Sequence, residues 1–317
     1  MITAELVYML GIALTLLLSV LGCGIGLGIA GYGIAEHMSR QPAGIPPSAK
    51  AAFIGLALIE SSAIIALVTA LALLNAMPDG LSLEVAMASA GAALAVGCAA
   101  MVVSIASSKV VAATAQSIAR QPLFAPKLIT FMAVAQSIIE APVIFAFIVN
   151  LMVRGQISPT MDLAVSLKLL AACLVIAVGC IGPSIGQALC ASSASQALGL
   201  NSDIYNRLFT FTLINQVMIE TPMIFSLIVA LVTILMPLSA ADPFSSVIQS
   251  FSAAGAMGLG ALGSSIGLGM VASKSFIQVA LEPTCYSVMV RPTILCAALI
   301  ESSAIYALII ALMLLSQ

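Results

Sequence analysis

Hydrophobic residues run along the chain in eight long stretches that short polar connections separate. The stretches cover roughly residues 6–36, 50–76, 84–118, 128–153, 162–198, 208–237, 245–280 and 293–316. Each is long enough to cross a bilayer as a helix, which needs about 20 apolar residues. Open strands would leave backbone groups unpaired in lipid. The pattern therefore predicts an all-α membrane protein with eight transmembrane helices.

A repeat of about 80 residues groups these helices into four tandem hairpins, and a fixed period of this kind defines the architecture. Each hairpin has a first helix, a polar loop, and a second helix that carries one glutamate deep in its apolar stretch. The glutamates follow one another at intervals of 80, 80 and 81 residues. The predicted hairpins are residues 1–80, 81–160, 161–240 and 241–317. Their glutamates are Glu60, Glu140, Glu220 and Glu301.

The composition supports a membrane protein, since 62% of residues are hydrophobic and only 7% are charged, against about 25% in soluble domains. The 10 Lys and Arg nearly balance the 12 Asp and Glu, and no basic run occurs, which argues against a nucleic-acid partner. Eight of the ten Lys and Arg flank the intra-hairpin loops. The positive-inside rule therefore predicts cytoplasmic loops, with both termini outside.

Other local patterns indicate no chemistry beyond the glutamates. The N-terminal MITAELVYMLGIAL lacks a basic region and a cleavage pattern, so we interpret it as the first span. All seven cysteines lie within or beside apolar stretches without a CxxC pair, and we expect reduced packing residues. The chain has no phosphate-binding loop, so we predict no catalytic residue, no cofactor and no metal site.

The first helices carry small residues at every second position. Membrane helices associate by close backbone approach, which small side chains permit. The pattern therefore predicts a tightly packed, repetitive wall of first helices. The residues are Gly22, Gly24, Gly26 and Gly28 in hairpin 1, Gly182, Ser184, Gly186 and Ala188 in hairpin 3, and Gly263, Ser265, Gly267 and Gly269 in hairpin 4. Hairpin 2 keeps Ser104, Ala106 and Ser108 but has Val102 at the first of these positions.

A carboxylate in hydrocarbon costs several kcal/mol or more when it is ionised. We therefore expect each glutamate to be neutral towards lipid and to ionise only where a cation or polar partner meets it. A static glutamate that only joins helices by hydrogen bonds is the alternative. Four glutamates in register favour a repeated ion carrier.

The neighbours of these glutamates differ between hairpins. In hairpins 1 and 4, Ser61 and Ser302 follow Glu60 and Glu301, which predicts a hydroxyl beside each carboxyl group.

In hairpins 2 and 3 the glutamate has a glutamine one helical turn earlier, Gln136 or Gln216, which we expect to reach the carboxyl group. A proline follows two residues later, Pro142 or Pro222. It either frees a carbonyl acceptor near the site or only kinks the helix. We otherwise expect continuous second helices.

The segment SRQPAGIPPSAKAAFIGLALIESSAIIALV resembles the rotor proteolipid, or c-subunit, of F-type ATP synthases. The shared marks are a glycine-rich first helix, an Arg-Gln-Pro loop, and a carboxylate 20 residues after the arginine. The resemblance extends over essentially the whole chain, four times. The loop motif is Arg40-Gln41-Pro42 and Arg120-Gln121-Pro122, whereas Leu200-Asn201-Ser202 and Leu281-Glu282-Pro283 stand in its place in hairpins 3 and 4.

The resemblance implies a ring of hairpins in which each glutamate carries one H⁺ past the a-subunit of a stator, whose arginine releases the ion. It also implies that the Arg-Gln-Pro loops seat the central stalk, so hairpins 3 and 4 would hold it differently. Vacuolar-type relatives usually lose a carboxylate; this chain retains all four, which favours ATP synthesis. We expect a homo-oligomer of about three chains and about 12 hairpins, surrounded by lipid in a bacterial inner membrane.

Sodium-coupled rings resemble one another in a first-helix glutamine, a Glu-Ser pair and a tyrosine five residues after the glutamate. Gln187 and Thr221 in hairpin 3, and Ser302 and Tyr306 in hairpin 4, supply parts of this set, and no hairpin has it complete. Neighbouring hairpins could combine their ligands. We favour H⁺, with a Na⁺-coupled or vacuolar-type rotor as the alternative.

Two functions of other classes compete with the rotor. A proton-coupled secondary transporter would use the glutamates as a relay and predicts broken helices with unlike roles. A structural scaffold would not need ionisable groups.

Overall fold

The computed structural model describes residues 3–77, 80–239 and 241–317, which form ten α-helices and no strand. This confirms the all-α prediction. The helices are α1 (Ala4–Arg40), α2 (Ile45–Leu74), α3 (Leu83–Arg120), α4 (Ala125–Ile139), α5 (Ala141–Gln156), α6 (Leu163–Gly179), α7 (Ile181–Leu200), α8 (Tyr205–Leu235), α9 (Pro243–Leu281) and α10 (Tyr286–Leu315).

The ten helices make eight spans that are long and apolar enough to cross a membrane, as predicted. Two spans are each interrupted at one residue, Glu140 between α4 and α5 and Cys180 between α6 and α7. The expectation of a continuous second helix is therefore wrong for hairpin 2, where Pro142 lacks the N–H that the helix needs. Hairpin 3 differs, because α8 continues through Pro222.

The interruption at Glu140 is a tightened turn. The Glu140 N–H donates to the Gln136 carbonyl at 3.1 Å, and the Val143 N–H donates to the Glu140 carbonyl at 3.1 Å. Hydrogen bonding thus passes through the break, unlike the unwound segments that a transporter with broken helices would require.

Local capping explains where several first helices begin. The side chains of Thr3, Ser82 and Asp242 accept hydrogen bonds from backbone N–H groups in the first turns of α1, α3 and α9. Each hairpin then turns through one short 3₁₀ helix, whether or not the Arg-Gln-Pro motif is present. The turns are Pro42–Gly44, Pro122–Phe124, Ser202–Ile204 and Pro283–Cys285.

The first helices pack side by side in chain order, α1 on α3, α3 on α6 and α7, and these on α9. The second helices form another row against them. A Cβ atom on Gly26 would lie 2.6 Å from the Ser104 carbonyl oxygen, and one on Gly97 would lie 2.7 Å from that of Thr15. The backbones therefore touch, in agreement with the predicted tight wall.

The two outer hairpins each have an uncovered face. Nothing lies within 4 Å of a Cβ built on Gly24, Gly28 or Gly31 of α1. At the other end, Leu299 on α10 is 75% exposed. Hairpins 1 and 4 thus each lack the neighbour that hairpins 2 and 3 have on both sides.

The cysteines are free thiols, as predicted, but they are not all buried. Cys296, on α10 in the last hairpin, is exposed. Cys98 and Cys285 are partly exposed, and the other four are buried.

Candidate ion-carrying site

The four glutamates lie at equivalent places in their hairpins but in different surroundings. Glu140, between two complete hairpins, is only 8% exposed. Glu220 and Glu301 are half-buried, and Glu60 is exposed. The exposure of Glu60 follows from its place in the first hairpin, which has no preceding hairpin to cover it.

Ser61 contacts the glutamate of the next hairpin. Its Oγ lies 3.0 Å from Oε2 of Glu140, and it also donates to the Leu58 carbonyl at 2.7 Å. We expected a partnership with Glu60, and this was wrong because adjacent helix residues point in different directions.

The other two candidate hydroxyls bind carbonyls of their own helices. Thr221 donates to the Val217 carbonyl at 3.1 Å, and Ser302 donates to that of Leu299 at 2.7 Å. Within the described residues, neither hydroxyl is hydrogen-bonded to a carboxyl group.

The glutamines also reach the neighbouring hairpin. Nε2 of Gln136 donates to the Gly55 carbonyl at 3.2 Å and to Oγ of Ser107 at 2.8 Å. Nε2 of Gln216 donates to the Ala135 carbonyl at 3.2 Å. Neither glutamine binds the glutamate of its own hairpin, so that expectation was wrong. Each contact joins a second helix to the second helix of the preceding hairpin, between residues 81 positions apart in the sequence. Hairpins 1 and 2 therefore pack in the same register as hairpins 2 and 3.

Gln187 is fully buried, and neither of its amide atoms has a partner among the described residues. Oε1 of Gln136 and Oε1 of Gln216 also lack partners. Buried polar atoms are usually hydrogen-bonded, so these atoms mark a polar interior at the level of the glutamates. Tyr306 is 64% exposed and takes no part in this interior.

Serines of the first helices fix the backbone beside two of the glutamates. Oγ of Ser104 donates to the Ile59 carbonyl at 3.4 Å, and Oγ of Ser265 donates to the Ile219 carbonyl at 3.0 Å. Each carbonyl belongs to the residue just before a glutamate. Sequence reasoning identified Ser104 and Ser265 only as small residues and missed this contact.

A second set of missed contacts closes the hairpins at the end away from the loops. The Tyr8 hydroxyl donates to the Leu73 carbonyl at 2.7 Å. Lys168, 160 residues further on, donates through Nζ to the carbonyls of Ile234 at 3.3 Å and Met236 at 2.7 Å. Lys168 is only 8% exposed, and a lysine within an apolar span was the available signal.

The loops are joined by side-chain amides. Gln121 donates to the Gly199 carbonyl at 3.1 Å, and Asn201, at the same position in hairpin 3, donates to the Ala280 carbonyl at 3.4 Å. This contact therefore survives the loss of the Arg-Gln-Pro motif. Among the predicted stalk-contact residues, Arg40 pairs with Glu36, and Gln41, Pro42, Arg120 and Pro122 are partly or fully exposed.

Comparison with known proteins agrees with this architecture. The family of the ATP synthase C-subunit matches the chain four times, at residues 10–73, 90–153, 170–233 and 251–314. The chain belongs to the ATP synthase C-subunit family. One match to this family falls in each predicted hairpin.

Curated relatives are similar to one hairpin of this C-subunit family member. The ATP synthase c-subunit of Chloroflexus aurantiacus (strain J-10-fl) is 39% identical over 64 residues, which is 20% of this chain and 84% of the relative. The c-subunit of Chloroflexus aggregans matches with the same identity and coverage. A single hairpin thus corresponds to most of a relative, and this chain contains four.

Proposed function

We propose that this integral membrane protein is a rotor component of an ATP synthase, in which each of the four glutamates carries one H⁺ per passage of a stator. The observation that supports it best is the contact between Ser61 and Glu140. It places a carboxyl group in a mostly buried position, within reach of a partner on the neighbouring hairpin.

The geometry of that contact suits a protonated carboxyl group. A serine hydroxyl has one proton to donate, and the Leu58 carbonyl accepts it at 2.7 Å. The same hydroxyl also has Oε2 of Glu140 as an acceptor at 3.0 Å, so a protonated Glu140 would donate its O–H to Oγ of Ser61 while Ser61 keeps its bond to Leu58. Oε1 of Glu140 has no hydrogen-bond partner among the described residues and is buried, where an ionised group would be costly. These contacts favour H⁺ over Na⁺ as the carried ion.

The first and last hairpins each have an uncovered face, which supports assembly into a ring. The uncovered glycines of α1 in one copy would meet α9 and α10 of another copy, as α3 meets α1 and α2 within the chain. Glu60 would then face Ser302 of the preceding copy, in the register of Ser61 and Glu140. We propose a ring of about three chains and about 12 hairpins.

The remaining partners and the location follow from this role. The a-subunit of a stator would exchange ions with the glutamates, and a central stalk would contact the loops at Arg40 and Arg120. The charge distribution supports loops in the cytoplasm and termini outside, in a bacterial inner membrane. The transported ion is cargo, and the proposed rotor has no resident cofactor.

Retention of all four carboxylates favours synthesis over pumping. Each elementary charge that crosses 100 mV supplies about 2.3 kcal/mol, so more ions per turn give more free energy per ATP. A ring mass corresponding to a hairpin number that is not a multiple of four would contradict whole-chain assembly.

Replacement of Glu140 by Gln tests the rotor function in the complete enzyme. We expect Glu140→Gln to abolish proton-coupled ATP synthesis in membrane vesicles, because an amide cannot release a proton. Glu84→Gln, at the start of α3, is the matched control and should leave synthesis unchanged. Unimpaired synthesis by Glu140→Gln would refute the proposal.

The choice of ion needs a separate measurement. A carbodiimide reacts with protonated carboxyl groups, so bound Na⁺ would protect the glutamates from modification. We expect modification of Glu140 at the same rate with and without Na⁺. Protection by Na⁺ would replace H⁺ with Na⁺ and leave the rotor function standing.

A further inference from the structure

The second helices of hairpins 1 and 2, α2 and α4, leave a groove between them near the loops. Its volume is about 450 Å³, which is within the range of small-molecule sites. Lys50 and Thr130 line it beside apolar residues that include Ile54, Ile129 and Ala133. Lys50 and Thr130 are exposed, so the groove opens to the outside of the protein.

Aromatic side chains occupy the corresponding place at the next two junctions between hairpins. The Tyr205 hydroxyl donates to the Lys127 carbonyl at 3.4 Å, and Nζ of Lys127 lies 5.2 Å from the centre of the tyrosine ring. The Tyr286 hydroxyl donates to the Arg207 carbonyl at 3.4 Å, with Cζ of Arg207 5.7 Å from that ring. Hairpin 2 has Ala125 where hairpin 3 has Tyr205. A methyl group cannot reach across to hairpin 1, so this junction stays open.

The polar residues of the groove lie at the depth of lipid headgroups. Lys50 and Thr130 each stand ten residues before the glutamate of their own hairpin, and these glutamates lie near the middle of their spans. Ten residues of helix rise about 15 Å, which is half of a hydrocarbon core of about 30 Å. Ile54 and Val134 are four residues closer to the glutamates and therefore lie within the hydrocarbon.

We propose that this groove binds an anionic phospholipid, with the headgroup at Lys50 and an acyl chain along Ile54 and Val134. A lipid phosphate would accept a hydrogen bond from the Lys50 ammonium group, and no carboxylate among the described residues pairs with that lysine. The Thr130 hydroxyl donates to the Pro126 carbonyl at 3.1 Å, so its oxygen is left to accept a hydrogen bond from a headgroup hydroxyl. Phosphatidylglycerol carries both the phosphate and the hydroxyl groups.

Lipid titration of the purified, delipidated protein in mild detergent tests the proposal, with native mass spectrometry as the readout. The probes are dioleoyl phosphatidylglycerol and dioleoyl phosphatidylcholine, which differ only in the headgroup. We expect phosphatidylglycerol to bind more tightly. Lys50→Gln should weaken its binding about fivefold, the contribution of one basic residue towards an anionic lipid, and should leave phosphatidylcholine unchanged. Arg207→Gln is the matched control, because it removes an exposed basic residue from a junction that Tyr286 closes.

A second variant fills the groove without changing its charge. Ile129→Phe combined with Ala133→Leu gives hairpin 2 the residues of hairpin 3 at these positions, Phe209 and Leu213. It should abolish binding of both lipids at this site, because the acyl chain loses its space. The intact mass in the same spectra shows whether the variant assembles.

Two results would overturn the inference. Equal losses of phosphatidylglycerol affinity in Lys50→Gln and Arg207→Gln would indicate a general attraction to basic surface. Undiminished lipid binding by the assembled groove-filling variant would place the lipid elsewhere. Lipid affinity is measured without ion transport, so these outcomes do not depend on the proposed rotor function.

Discussion

The packing of Gly26 against α3 gives a prediction with a control two residues away. A Cβ atom on Gly26 would lie 2.6 Å from the Ser104 carbonyl oxygen and 3.3 Å from Cγ2 of Ile59. An ordinary contact begins near 3.4 Å, so Gly26→Ala forces the helices apart by nearly an ångström. Gly28, on the same helix, has nothing within 4 Å and accepts the same methyl group freely.

The two substitutions should change stability in opposite directions. Overpacking at a close contact costs about 1–3 kcal/mol. Alanine is favoured over glycine within a helix by about 1 kcal/mol, and Gly28→Ala keeps this gain. Gly26→Ala has the same gain, so the free energies of unfolding of the two variants should differ by the overpacking cost of about 1–3 kcal/mol, with Gly26→Ala the less stable.

The measurement is reversible unfolding of the purified chain in mild detergent by added dodecyl sulfate, followed by circular dichroism. The shared helix and the identical chemical change remove propensity and detergent effects from the comparison. Equal free energies of unfolding for the two variants would refute the claim that backbone contact between first helices stabilises the row.

One further substitution and one labelling reaction probe other parts of the structure. Lys168→Ala removes charged hydrogen bonds to the carbonyls of Ile234 and Met236. The free energy of unfolding should therefore fall by about 1.5–3 kcal/mol in the same assay. An unchanged free energy of unfolding would show that these hydrogen bonds do not stabilise the protein. N-ethylmaleimide should modify Cys296, which is exposed in the single chain, and should fail to modify it in the assembled ring. Cys190 is fully buried and should react in neither state, and reaction of Cys296 in the ring would contradict closure through α10.

Much of the architecture could be predicted because long apolar stretches identify membrane helices directly in the sequence. Apolar runs longer than a bilayer indicated the eight spans, and the 80-residue period indicated the hairpins. The four glutamates stood out because carboxyl groups are rare in such runs. These signals are local or periodic, so no knowledge of packing was needed.

The partners of the glutamates could not be predicted in the same way, because they lie on neighbouring hairpins. Proximity in sequence suggested that Ser61 serves Glu60 and that Gln136 serves Glu140. The structure turns both side chains to other hairpins. Which face of a second helix meets the next hairpin depends on how the helices are rotated in the row.

The break at Cys180 was missed for a related reason. Pro183 was a signal for it, but the same kind of signal at Pro222 leaves α8 continuous. A proline inside a helix removes one backbone hydrogen bond. Whether the helix then tightens or continues depends on neighbours that the sequence does not reveal.

The contact of Ser61 with Glu140 also has a genetic consequence. In a ring of identical single hairpins, one codon change alters every site and both sides of every junction together. Here Ser61 and Ala141 fill equivalent places but are encoded separately. In the proposed rotor, selection can therefore adjust the site of one hairpin while the other hairpins of the same chain keep their original chemistry.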